Sequence, residues 1–68
     1  MIRRMINPEK IRELRVSRGM TTRGFAREAG ISTETLNAIE HGRRQPSMRT
    51  LEKVAAALGA DARDLLSR

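Results

Sequence analysis

Thr21 to Gly42 reads TTRGFAREAGISTETLNAIEHG, and this stretch decides the fold. It holds two short apolar-periodic segments separated by Ala29-Gly30-Ile31-Ser32. Glycine at the bend suits a backbone that must enter the left-handed region, and serine just after it suits the start of a new helix. Ala26 lies one turn before the glycine, where a small side chain lets the second helix approach closely. Phe25, Ala29, Ile31, Leu36 and Ile39 can all face one core.

The same punctuation runs outward along the chain. Gly19, Gly30, Gly42 and Gly59 each follow a stretch that reads as helical, the usual place for a helix-ending glycine. Met20, Ile31 and Ala60 come directly after three of them, matching the small hydrophobic contact that closes such a cap. Asn7 before Pro8 reads as a helix start, and Thr21, Ser32, Ser47 and Asp61 are the later starts. These signals predict five short helices, roughly 8–18, 22–29, 33–41, 48–58 and 62–67. Leu51, Val54, Ala55 and Leu58 follow the i, i+3, i+4, i+7 pattern, and no window alternates with period two. The expectation is an all-α domain over 7–68, preceded by a short basic arm over 1–6 in which Arg3 and Arg4 fray.

Sixty-eight residues suffice for one domain that buries about 60% of its unfolded surface. There is no cysteine, one histidine and one aromatic residue, Phe25. That leaves no disulfide, no Cys-based metal site and no nucleophile pair, and argues against an independent enzyme. No cofactor and no metal are implied. No apolar run approaches the roughly 20 residues of a membrane span, and the basic start lacks a signal peptide's apolar stretch, so a cytoplasmic, nucleoid-associated protein is expected. The formal charge of +6 favours a polyanionic partner.

A helix pair joined by a short glycine-containing turn is the sequence form of a helix-turn-helix. From about Ile11 to Leu66 the chain resembles the lambda-repressor and Cro (Xre-type) DNA-binding domains. The resemblance rests on Leu14, Arg15, Gly19, Met20, Thr21, Phe25, Ala26, Ala29-Gly30-Ile31-Ser32, Leu36, Ile39-Glu40, Gly42, Pro46, Leu51, Val54, Ala55, Leu58-Gly59 and Leu65-Leu66. It implies that helix 33–41 enters the major groove with its first residues at base edges.

At 100° per residue, Leu36, Ile39 and Glu40 share the inward side of that helix; Glu34, Ala38 and His41 point away, with Asn37 beside them and Thr33 at the tip. Thr33, Glu34, Asn37 and Ala38 are the candidates for base readout. Thr33 offers a hydroxyl or a methyl, Asn37 can pair with adenine, Glu34 can accept from cytosine, and Ala38 leaves room for a thymine methyl. Bland readings stand beside these: Glu34 suits the helix dipole, and Ala38 is a good helix former. His41 either touches phosphate or complements the C-terminal dipole, the second reading carrying more weight.

The resemblance places Thr22 and Arg23 against the DNA backbone, with Arg43 and Arg44 in the loop that follows the recognition helix. Arg27 and Arg49 are further phosphate candidates, against a bland reading of each as solvated surface. It also pairs Arg15 with Glu40 as an internal ion pair. Thr22 stands where many members carry a longer glutamine, and Gly24 sits inside a helix at a cost of roughly 1 kcal/mol relative to alanine.

The function expected is sequence-specific binding of double-stranded DNA by a transcriptional repressor that acts as a homodimer on a palindromic operator, with the dimer surface near the fourth and fifth helices. The rival is an antitoxin-like module that docks on another protein. Such a module would carry an apolar recognition face, whereas Glu34, Asn37 and His41 are polar. Single-stranded nucleic acid needs aromatic platforms, and Phe25 reads as core. A membrane-surface helix needs a broad apolar face opposite basic residues, which no segment has.

Overall fold

The computed structural model describes residues 6–66. Four α-helices follow one another: α1 Pro8–Ser17, α2 Thr22–Ala29, α3 Thr33–Glu40 and α4 Met48–Leu58, with a 3-10 turn at Ala62–Leu65. The architecture is all-α. α2 packs against α3 and α4, α1 packs against α3, and the 3-10 turn seals the ends of α1 and α4. Among the described residues no helix is long and apolar enough to cross a membrane. Arg3 and Arg4, assigned above to the arm, lie outside the described residues.

Every helix starts where a short polar side chain can satisfy a free backbone N–H. Asn7 accepts from the Lys10 N–H, Thr21 from Gly24, Ser32 from Thr35, Ser47 from Thr50, and Asp61 from Arg63. The residues flanking each cap build the core. Four positions past the caps stand Ile11, Phe25, Leu36, Leu51 and Leu65, each at most 3% exposed. One position before them stand Ile6, Met20, Ile31, Pro46 and Ala60, all buried or half-buried. This apolar pair straddling a polar cap has the spacing of the hydrophobic staple, and Ile6, Met20, Ile31 and Ala60 pack into or against the core that Ile11, Phe25, Leu36, Leu51 and Leu65 build. Each fully buried side chain of this size contributes about 1.5–3 kcal/mol. The staples therefore make the same residues that start the helices hold them together.

The turn between α2 and α3 needs its glycine. Gly30 has φ +75°, and the Ile31 N–H reaches back to the Ala26 carbonyl at 3.0 Å, closing the end of α2. Ala26 is 1% exposed, so nothing larger fits at that position. Ile31 then tucks against the core and delivers Ser32 to cap α3.

One expectation is corrected. The fifth helix, read over 62–67, is a single 3-10 turn that ends at Leu65. Its bonds run three residues back, Asp64 N–H to Asp61 and Leu66 N–H to Arg63. Leu66 is then extended, with φ −94° and ψ 145°, and forms an antiparallel bridge with Ile6, while the Asn7 N–H donates to the Leu65 carbonyl at 2.8 Å. One turn does not repay helix nucleation, and the bridge claims the backbone that a second turn would need. Ile6, grouped with the arm from sequence, is only 4% exposed and belongs to the core.

Candidate nucleic-acid interface

α3 is anchored by its inward residues. Leu36 and Ile39 are fully buried, and Glu40 is 4% exposed. The Arg15 guanidinium takes that carboxylate side-on, Nε to Oε2 at 2.8 Å and Nη2 to Oε1 at 3.1 Å, and its Nη1 donates to the Met20 carbonyl at 2.9 Å. A bidentate pair of this kind sets direction as well as distance. It ties α1 and the turn after it to the C-terminal end of α3. No buried polar side-chain atom among the described residues lacks a partner.

With that side fixed, α3 presents the other. Glu34 and His41 are exposed, and Thr33, Asn37 and Ala38 are half-buried. The side chains of Thr33, Glu34 and Asn37 form no hydrogen bond within the described residues, so their donors and acceptors are open to a ligand. His41 is committed in part: its Nδ1–H donates to the Asn37 carbonyl at 2.7 Å, capping the last turn of α3 from outside. Its Nε2 forms no hydrogen bond among the described residues.

Exposed cations stand in the segments next to α3 in the chain. Gly42 has φ +72°, and the Arg43 N–H returns to the Ala38 carbonyl at 2.9 Å, so α3 ends abruptly and Arg43 and Arg44 project from the exposed loop. At the start of α2, Thr22 is half-buried and Arg23 exposed, directly after the Thr21 cap. Arg27 and Arg49 are also exposed. The salt bridges among the described residues are Arg15–Glu40 and Arg63–Asp61, so Arg23, Arg27, Arg43, Arg44 and Arg49 have no carboxylate partner there. Cations without partners meet an anion at little desolvation loss, and their effect adds across the face.

Gly24 lies against the Thr21 cap. A Cβ on it would sit 3.1 Å from the Thr21 hydroxyl oxygen, which already accepts the Gly24 N–H at 3.0 Å. The glycine thus leaves room for the tight cap at the start of α2. Sequence reading missed Gln45, whose Oε1 accepts the Ile6 N–H at 3.4 Å and joins the loop after α3 to the start of the chain. No periodic pattern marks such a contact across 39 residues.

The arrangement is an anchored helix carrying polar groups on its outer side, with exposed arginines on the neighbouring segments that have no carboxylate partner among the described residues. Residues 11–65 match the model of the helix-turn-helix family. The chain belongs to that family. It is of the Xre type, and the family is one of DNA-binding transcriptional regulators. DdrOP3, an HTH-type transcriptional regulator of Deinococcus deserti, is 41% identical over 58 residues, which make up 85% of this chain and 45% of DdrOP3. The match therefore spans less than half the length of that relative. The restriction-modification controller protein C.AhdI of Aeromonas hydrophila has a similar structure, with TM-score 0.83 at 29% identity, over 85% of this chain and 88% of that one. SinR, the master regulator for biofilm formation, solved in complex with DNA, gives TM-score 0.81 at 30% identity, over 85% of this chain and 94% of that one.

Proposed function

We propose that this helix-turn-helix chain is a sequence-specific double-stranded DNA-binding regulator that represses transcription by occupying its operator. The observation that carries the reading is the outer side of α3, where Thr33, Glu34 and Asn37 keep unused hydrogen-bonding groups, together with exposed arginines at the start of α2 and in the loop after α3 that have no carboxylate partner among the described residues. Thr33, Glu34, Asn37 and Ala38 read base edges in the major groove. Thr22 and Arg23 at one end, and Arg43 and Arg44 at the other, hold phosphates; Arg27 and Arg49 widen the basic surface, and His41 Nε2 adds a contact at the end of the helix. Arg15 and Glu40 set the angle of α3 without touching DNA. Two copies place their α3 helices in successive major grooves, about 34 Å apart, so the operator is roughly palindromic. The protein acts in the cytoplasm, on the nucleoid, without a cofactor.

The docking alternative would use this same face for a protein. The exposed large apolar side chains among the described residues are Val16 and Met48, each 61% exposed, and neither lies on α3. A polar face with exposed cations on the neighbouring segments favours DNA. Selection from a random duplex library with the purified chain at two salt concentrations tests the reading. An enriched palindrome with half-sites about one helical turn apart supports it. Weak, salt-sensitive binding with no enrichment overturns it and points to a protein partner.

A further inference from the structure

A groove of about 580 Å³ lies between one side of α1 and the C-terminal turn. Lys10, Leu14 and Arg18 line it from α1, and Ala60, Arg63 and Leu66 form the other wall. None of the side chains assigned above to DNA lines it. Leu14, Ala60 and Leu66 are half-buried against the core and supply apolar contacts within a lining that is mostly polar. Lys10 and Arg18 are exposed in its lining and have no carboxylate partner among the described residues; the Arg18 Nη1 donates to the Leu14 carbonyl at 3.4 Å. Arg63 adds a third cation; it meets Asp61 only at 3.4 Å, with 80% of its side chain exposed. Asp64 is the carboxylate at the rim.

The spacing is selective. Positions 10, 14 and 18 fall in one stripe along the helix, ordered cation, leucine, cation. The helical rise puts the Cα atoms of Lys10 and Arg18 about 12 Å apart. In an extended chain, residues i, i+2 and i+4 face the same way, and i to i+4 spans about 13 Å. We infer that this groove docks an extended acidic segment of a partner protein. Two carboxylates four residues apart meet Lys10 and Arg18, and an apolar side chain between them lies over Leu14. A second copy of this chain does not supply that segment. Its net charge of +6 opposes such a contact, and its one pair of carboxylates four apart, Glu9 and Glu13, lies in α1 with the intervening Ile11 buried. The groove leaves α3 free, so the partner and DNA can be held together.

The test titrates the isotope-labelled protein with a short unstructured peptide carrying two aspartates four residues apart and a leucine midway. Saturable amide shifts confined to the groove side of α1 and to residues 60–66 are expected. Lys10→Glu with Arg18→Glu weakens binding about tenfold or more. A peptide with lysines in place of the aspartates regains binding to that variant, which requires the variant to be folded. Absence of saturable shifts overturns the proposal, as does equal binding of a peptide with its aspartates five apart. Duplex affinity is measured separately. A duplex that competes with the peptide for the groove overturns the proposal, whereas failure of the DNA reading alone leaves the peptide result standing.

Discussion

Arg15 on α1 meets Glu40 at the end of α3 through two parallel bonds, 2.8 and 3.1 Å, and spends its third nitrogen on the Met20 carbonyl. The two side chains are 13% and 3% exposed, so the pair sits at the edge of the core rather than on the surface. Removing one partner leaves a charge with little water to receive it. Glu40→Ala is expected to destabilise the chain by about 3–5 kcal/mol. Denaturant melts of Glu40→Ala, Arg15→Met and the double variant check this. A double variant as unstable as the sum of the singles would mean that the two residues act independently.

The roles on the outer face separate by salt and by sequence. Asn37→Ala is expected to relax preference at a few base positions and leave non-specific binding nearly intact. Arg43→Ala should weaken all duplexes alike and lower the salt slope by about one. Fluorescence-anisotropy titrations on the selected site and on scrambled duplexes, at several salt concentrations, distinguish them. Identical behaviour of the two variants would show that readout and phosphate contact were wrongly divided.

Ile6 stands one position before the Asn7 cap and bridges Leu66, so it carries the start of the chain onto its end. At 4% exposure, Ile6→Ala removes core volume and should cost about 2–4 kcal/mol. The thermal midpoint measures the loss. A change within the range of an exposed-site substitution, about 0.5 kcal/mol, would place Ile6 outside the core.

Asp61 caps the 3-10 turn and titrates below the usual carboxylate range. The Arg63 backbone N–H bonded to its carboxylate lowers it most, followed by the Arg63 side-chain bond and then that guanidinium's charge. A depressed folded value means the cap's contribution is present above the unfolded value, near 3.9, and is lost as pH falls through the folded one. The Arg63 amide resonance should therefore shift only below about pH 4. Asp61→Asn, which caps without titrating, should abolish the shift; persistence of the shift in that variant would assign it to another group.

What could be read from the chain alone is what depends on groups a few residues apart. Asn7, Thr21, Ser32, Ser47 and Asp61 each bond an N–H two or three residues on, and Gly30 and Gly42 each end a helix whose last carbonyls lie within five residues. Side chain and backbone at such separations meet whatever the rest of the molecule does, so helix starts, stops and the outward face of α3 were legible. Arg15 with Glu40 came from family resemblance rather than from spacing. Tertiary structure decided the rest. The last segment is one 3-10 turn because Leu66 bridges Ile6, and the Lys10–Leu14–Arg18 stripe becomes a groove only because Ala60, Arg63 and Leu66 rise beside it. Those contacts join residues from opposite ends of the chain. Their geometry follows from closing one core around the staples, and no local pattern encodes it.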